Sequence, residues 1–215
     1  MTNLKPIKLL PAREQVASAL RKAILSRELQ EGAELTLESV AAQLEVSNTP
    51  VREALQILSR DGLIKLRPNK GAIVLGINEK TIRNHYETRA ILEREAAALV
   101  CRYNADISGI VNAYEQAAEA LDQNNSKDYS NYNQSFHVEI WSASGNDTMK
   151  TLLSSLWNGL SMGHKVTEED YAHLSIQEHK RILDALIDRD EMRAKELMNA
   201  HIIRSMENIL TNLQK

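Results

Sequence analysis

Apolar residues recur at helical spacing along almost the whole chain, and only one short stretch has the pattern of a β-hairpin. That stretch runs from Leu63 to Leu66, turns over residues 67–71 and returns over Ala72 to Val74. After residue 77 every segment keeps a helical period, and no strand-like alternation persists. The pattern therefore predicts a mainly α-helical chain with a small β element at the end of its first third.

Charge is distributed unequally along the 215 residues, although the net charge of the whole chain is only −3. Residues 1–76 contain 11 Lys and Arg against 8 Asp and Glu, whereas residues 77–215 contain 15 against 21. All six histidines lie in the acidic part. We predict two domains, 1–76 and 77–215, of which the first is suited to a polyanion.

Composition excludes several classes of protein. The single cysteine, Cys101, has no partner for an internal disulfide, and we expect it to be buried as an apolar side chain. The apolar run Ala72 to Leu75, like every other apolar run in the sequence, is far shorter than the roughly 20 residues that cross a bilayer. Charged residues and Pro6 interrupt the N-terminus before any signal-peptide core develops. We expect a cytoplasmic protein with no membrane partner.

The first domain has the pattern of a winged helix-turn-helix. Helices are predicted over residues 11–26, from the N-cap Thr36, and from the N-cap Ser47 to Gly62. Two short helices joined by a tight turn are typical of a unit whose second helix enters the DNA major groove. Projection of that helix gives one contiguous polar stripe: Asn48, Thr49, Arg52 and Gln56. We predict that this stripe reads base edges and that Arg67 and Lys70, in the hairpin wing, contact phosphates.

The segment from Val46 to Leu55, followed by Leu58, Asp61 to Leu63 and the wing residues 68–71, closely resembles the winged helix of GntR-family bacterial transcription regulators. By position, the resemblance implies that Ser47, Asn48, Thr49 and Arg52 contact DNA and that Gly71 lets the wing approach the duplex. The family often has arginine where Asn48 stands. Because asparagine pairs well with adenine and arginine with guanine, the operator is expected to differ from the common one.

The second domain is predicted to be an all-α antiparallel bundle of about six helices. Helix starts are indicated at Asn78, Asp106, Ser126 and Asp147, the last of these helices reaching about Met162. Two apparent capping boxes, Ser175 to Glu178 and Asp188 to Glu191, predict two more starts, with a loop over residues 163–174.

Several segments of this domain resemble the effector-binding FCD domain of the FadR-like branch of the same family: residues 86–93, 133–137, 144–146 and 178–182. The resemblance implies a homodimer that binds small carboxylates, often with a divalent metal.

Three histidines lie on apolar stripes of three different predicted helices. His179 and His201 share faces with buried-type residues, and His137 lies one turn after Asn133 beside such a face. Imidazoles that converge from three helices favour a divalent-metal site, with zinc or nickel as the expected ion. We therefore predict metal ligands at Asn133, His137, His179 and His201, a set that contains no anionic group.

Arg89 also lies on an inward stripe, where an unpaired charge is very costly. Glu93, one turn along the same helix, is one possible partner. A ligand carboxylate held bidentately beside the metal is the other, and it makes Arg89 an effector-binding residue.

The leading functional hypothesis is a dimeric, ligand-responsive transcription regulator, expected to be a repressor, that binds a two-fold operator. A second hypothesis makes the metal itself the signal, without an organic effector. A metal-dependent enzyme is the third, because three histidines with an open position can activate water. No nucleophile motif, phosphate loop or His-Glu-x-x-His helix accompanies the histidines, so we do not expect an enzyme.

Overall fold

A computed structural model describes residues 11–25, 27–76, 78–157 and 169–213 of the chain. They divide into two compact units, one ending at Asn78 and the other beginning at Glu79. Helices dominate both units, and a small antiparallel sheet follows the first helices, so the predicted fold class is confirmed.

The first unit contains three helices and three strands in the described residues: α1 (Ala12–Leu25), β1 (Glu34–Leu35), α2 (Leu37–Gln43), α3 (Asn48–Arg60), β2 (Ile64–Arg67) and β3 (Gly71–Val74). The sheet has the order β1-β3-β2, and both pairings are antiparallel. The predicted helices and hairpin are present. Strand β1 was not predicted, because two residues are too few for a recognisable alternation.

The helix termini of this unit are stabilised in different ways. The Thr36 side chain accepts a hydrogen bond from the Ser39 N–H at 3.1 Å, which caps α2 as predicted. Ser47 occupies the N-cap position of α3, but its side chain makes no capping hydrogen bond. Gly62, which follows α3, has the left-handed φ of +73° that was predicted for it.

The core of the first unit forms where α1 packs against α3. Its buried apolar side chains include Val16, Ala17, Leu20, Ile24, Val51, Ala54, Leu55, Leu58 and Leu63. Arg21 lies among them at 3% exposure and donates to Asp61 at 2.7 Å. This ion pair joins α1 to the residue that follows α3, so it fixes the orientation of the helix that carries the polar stripe.

The second unit consists of six helices in the part of the chain that the structure describes: α4 (Glu79–Arg102), α5 (Ser108–Asp122), α6 (Ser126–Ala143), α7 (Asp147–Trp157), α8 (Glu169–Ile187) and α9 (Glu191–Leu213). Helix α4 packs along α9, and α5 packs along α6. Cys101 is buried, as expected. No helix among the described residues has a stretch long and apolar enough to cross a membrane.

Three predicted helix starts are wrong in detail. Ser175 does not open a helix, because α8 already begins at Glu169 and buries Ser175 in its interior. Helix α9 is capped by Asp190 rather than Asp188, since the Asp190 carboxylate accepts from the Arg193 N–H at 3.0 Å. Helix α5 begins at Ser108 rather than at Asp106, whereas α6 and α7 begin at Ser126 and Asp147, as predicted.

The early start of α8 has a packing explanation. Ala172, within the predicted loop, is buried in a cluster with Ile176 and Tyr129, and burial of this face favours the extra helical turns. Residues 158–168, which include the rest of the predicted loop and the predicted end of α7, lie outside the described residues.

Two glycines with positive φ give a matched test of backbone constraints. A Cβ at Gly71 would lie 2.0 Å from the Leu35 carbonyl oxygen of β1, whereas a Cβ at Gly62 would meet nothing within 4 Å. We expect Gly62→Ala to cost about 1–2 kcal/mol, the strain of the left-handed conformation. Gly71→Ala is expected to cost about 2–5 kcal/mol, because displacement of β1 adds to that strain.

Urea titrations measure this difference. Both tryptophans lie in the second unit, so tryptophan fluorescence follows that unit, while far-ultraviolet circular dichroism follows both. In Gly71→Ala, the part of the circular-dichroism change that tryptophan fluorescence does not follow should move to lower urea concentration, and the fluorescence transition should stay in place. Equal destabilisation by both substitutions would contradict the steric assignment of Gly71.

Candidate DNA-binding surface and metal centre

The polar stripe of α3 is exposed along its whole length. Val51, Ala54, Leu55 and Leu58 are buried on one side of the helix. The exposed residues on its other side include all those predicted to contact DNA from this helix and its N-cap: Ser47, Asn48, Thr49, Arg52 and Gln56. The first unit therefore presents donor and acceptor groups from a rigid helix, which is the arrangement needed for contacts with base edges.

The two predicted wing cations have different surroundings. Lys70 is exposed at the hairpin turn, whereas Arg67 is half-buried and donates to the Glu34 carboxylate of β1 at 2.8 Å. This pairing was not predicted, since β1 was not. Exposed ion pairs stabilise proteins by about 1 kcal/mol or less, so a phosphate group could replace Glu34 as the partner of Arg67.

Gly71 has a structural role that the sequence did not indicate. Its φ is +83°, and the Leu35 carbonyl lies where a side chain would begin. Close packing of β1 on β3 is therefore sufficient to require glycine at this position, and approach of the wing to DNA remains a prediction.

Three buried imidazoles converge in the second unit. His137 of α6, His179 of α8 and His201 of α9 are 1%, 0% and 4% exposed. Each offers one ring nitrogen, and these nitrogens lie within 4.8 Å of one another. The Nε2 atoms of His179 and His201 are 3.2 Å apart. Asn133 is half-buried one turn before His137, and its role as a fourth ligand remains a prediction.

Glu93 of α4 lies behind His137. Its carboxylate is fully buried, and Oε2 lies 2.9 Å from His137 Nδ1 and accepts from the Trp141 indole N–H at 2.9 Å. Oε1 accepts from Arg89 Nε at 2.8 Å. Burial raises the pKa of Glu93, but electrostatic interactions with His137 and Arg89, together with hydrogen bonds from His137 and Trp141, lower it well below its ordinary value. The carboxylate is therefore ionised.

Glu93 is thus the partner of Arg89, which is the first of the two possibilities left open by the sequence. The Arg89 guanidinium is 4% exposed, and its central carbon lies 4.3 Å from the centre of a Trp157 ring. An effector carboxylate on Arg89 remains a prediction, and such a ligand would meet an arginine that already has an anionic partner.

A second carboxylate, Glu178, lies behind His201. Its Oε2 is 2.7 Å from His201 Nδ1, and Arg204 donates to both of its oxygens. Burial raises the pKa of Glu178, but hydrogen bonds from His201 and Arg204 lower it further than burial raises it. Sequence reasoning did not identify Glu178 or Arg204 as part of the site. The spacing of Arg204, three residues after His201, was the available signal.

Two of the three histidines, His179 and His201, have the protonation state that metal binding needs. Burial lowers the pKa of His201 to about 4 and lowers the pKa of His179 well below its ordinary value. Neutral imidazoles have a lone pair to donate. Two imidazoles bound tetrahedrally to one zinc ion, at about 2.0–2.1 Å each, have their nitrogens about 3.4 Å apart. The 3.2 Å separation of His179 and His201 Nε2 fits such an ion.

His179 differs from the other two histidines in its surroundings. Its ring stacks on Phe136, with 4.3 Å between ring centres and 19° between planes. Its buried Nδ1 has no hydrogen-bond partner among the described residues. Packing, rather than a carboxylate, therefore holds this ring.

Comparison with known proteins gives the same division of the chain. Residues 12–74 match the family described as bacterial regulatory proteins, gntR family, and residues 84–204 match the FCD domain. The chain belongs to the GntR family. Its FCD domain places it in the FadR-like branch. Members of this family bind operator DNA, and FCD domains bind small-molecule effectors and often a metal.

Relatives of this GntR-family protein are transcription regulators. It is 26% identical to the Nta operon transcriptional regulator of Aminobacter aminovorans, over 86% of this chain and 89% of that protein. It is also 26% identical to the gluconate operon transcriptional repressor of Bacillus licheniformis, over 85% and 74%. The McbR/YncC structure from E. coli has the same fold, with a TM-score of 0.72, 20% identity and coverage of 95% and 100%. The protein is therefore a transcription regulator and not an enzyme.

Proposed function

We propose that this GntR-family regulator is a cytoplasmic homodimeric repressor whose DNA affinity is controlled by a small carboxylate bound beside a divalent metal. The observation that carries the proposal is the convergence of three buried histidines in the FCD domain, next to the Glu93–Arg89 pair. The dimer would place its two winged helices on a two-fold operator. Zinc and nickel are the expected ions, because imidazole suits both.

The proposed DNA contacts divide into two classes. Ser47, Asn48, Thr49, Arg52 and Gln56 would contact base edges or the adjacent backbone in the major groove. Arg67 and Lys70, with the backbone near Gly71, would lie along phosphates. Base contacts carry sequence information, whereas phosphate contacts supply affinity that depends strongly on salt.

Arg52→Ala and Lys70→Ala should separate these classes. We expect Arg52→Ala to weaken binding to the specific operator by about 1–3 kcal/mol, with little effect on unrelated DNA. Lys70→Ala should weaken binding to all sequences similarly and reduce the salt slope by about 1. Fluorescence anisotropy at several salt concentrations measures both effects. Operator affinity equal to wild type in Arg52→Ala would exclude α3 as the reading helix.

Metal binding is tested by elemental analysis of protein purified without an affinity tag, before and after incubation with Zn²⁺ or Ni²⁺. Wild type should retain or take up about one ion per chain, because three converging imidazoles form the site. His179→Ala should lose most of this ion. His173→Ala is the matched control, since His173 is an exposed histidine on the same helix. A wild-type content near zero that added metal cannot raise would disprove the proposed centre.

The balance of charges around the three histidines supports the proposal of an anionic effector. Among the described residues around the histidines, Glu93 already pairs with Arg89 and Glu178 with Arg204, so a divalent ion bound there adds positive charge that neither carboxylate is free to balance. A carboxylate that contacts the metal and Arg89 would neutralise it. To regulate, the ligand must bind the DNA-free and DNA-bound forms with different affinities.

Arg89→Ala is expected to abolish the response to a carboxylate identified by a thermal-shift screen of metals crossed with small organic acids. Operator binding should be nearly unchanged in Arg89→Ala protein whose circular dichroism matches wild type, because Arg89 lies in the second unit and α3 in the first. Arg83→Ala, an exposed arginine on the same helix, should respond like wild type. Isothermal titration and operator-release assays measure the response. An unchanged carboxylate affinity in Arg89→Ala would leave Arg89 only as the partner of Glu93.

A metal-responsive regulator without an organic effector is the second candidate. It is favoured by one observation, that Arg89 already has a carboxylate partner within the protein. Titration of operator binding with metal alone, and then with metal plus acids, separates the two candidates. Release of DNA by metal alone would support the second.

A further inference from the structure

Two of the three converging histidines have a carboxylate within hydrogen-bond distance of Nδ1, and each of these carboxylates also accepts hydrogen bonds from an arginine. Glu93 lies on His137 Nδ1 and accepts from Arg89, while Glu178 lies on His201 Nδ1 and accepts from Arg204. The pairs come from different helices and contact different histidines. Two independent Arg–Glu–His chains therefore end at the same cluster.

We propose that Glu93 and Glu178 are positioning residues that hold His137 and His201 as Nδ1–H tautomers and direct both Nε2 lone pairs toward one point. An ionised carboxylate only accepts hydrogen bonds, so the nitrogen that faces it must carry the proton. The other ring nitrogen then keeps its lone pair. This inference rests on the proposed metal site, because a cation between the rings is what would use both lone pairs at once.

The arginines hold the two glutamates in place; one Arg204 nitrogen also lies 3.4 Å from His201 Nδ1, but Glu178 Oε2 is much closer, at 2.7 Å. Arg89 and Arg204 can only donate, so each requires an acceptor that remains in place. A glutamate satisfies its arginine and its histidine together, since both of its oxygens accept. A glutamine has one accepting oxygen. If the arginine takes that oxygen, the amide NH₂ faces histidine Nδ1 and favours the Nε2–H tautomer, which has no lone pair for a cation.

Glu178 is the better site for the main test. Its side chain is 19% exposed, and water can compensate for a changed hydrogen bond. Glu93 is fully buried with three donors around it, so Glu93→Gln risks loss of folding. Glu207→Gln is the matched control, because Glu207 is an exposed glutamate on α9, the helix that carries His201.

The experiment starts from the whole 215-residue chain prepared without metal. It has two readouts. Ring ¹⁵N chemical shifts of the histidines report the tautomers, and competition with a chelator gives the Ni²⁺ affinity. We expect Nδ1–H tautomers at His137 and His201 in wild type and in Glu207→Gln. Glu178→Gln should gain the Nε2–H form at His201 and not at His137, and it should bind Ni²⁺ about 10–100-fold more weakly. Where it folds, Glu93→Gln should do the same at His137.

The two arms separate failure of this inference from failure of the proposed function. Wild-type protein that binds no Ni²⁺ would refute the metal site, while the tautomer spectra would still decide whether the carboxylates select Nδ1–H. Nε2–H tautomers in wild type would overturn the inference. So would a Glu178→Gln protein with wild-type tautomers and Ni²⁺ affinity. A lower unfolding midpoint with both readouts unchanged would reduce Glu178 to a structural role, which also contradicts the proposal.

Discussion

Burial of the Glu93 carboxylate is the constraint on which much of the second unit depends. An ionised carboxylate removed from water must recover its hydration energy from donors inside the protein. Arg89 supplies part of this from the same helix, and His137 and Trp141 supply the rest from α6. The requirement therefore connects α4 to α6 and fixes the ring that α6 directs toward the other histidines. Replacing any one donor would leave charge or a polar group unpaired in the interior.

The convergence of the histidines could be expected from the sequence because helical periodicity shows which residues share a buried face. The same periodicity does not show what lies opposite. Glu93 was considered only as a partner for Arg89, four residues away, and its contact with His137 spans 44 residues of sequence. Glu178 was assigned to a capping box for the same reason, since a glutamate after a serine suits a helix start as well as a helix interior. Tertiary packing of Ala172 and Ile176 decided between the two.

The first unit was predicted more completely, because its helices are short and amphipathic. What could not be predicted depends on β1. This strand has two residues, yet its Leu35 carbonyl requires glycine at position 71, and its Glu34 carboxylate pairs with Arg67. Two residues assigned to DNA contact from the wing therefore also have structural roles. The α3 residues assigned to DNA contact lie on the exposed side of the helix, and the case for their DNA contacts is correspondingly simpler.

The partners of Arg89 also bear on how a carboxylate effector could act. A ligand that binds the guanidinium must share it with Glu93 or replace Glu93 as its partner. Replacement would leave the buried Glu93 carboxylate with hydrogen bonds from His137 and Trp141 alone, and the hydrogen bond from His137 would become stronger. Effector binding at Arg89 and metal binding at His137 would then be linked through one carboxylate. Linkage is reciprocal. If the metal changes the effector affinity by some factor, the effector changes the metal affinity by the same factor.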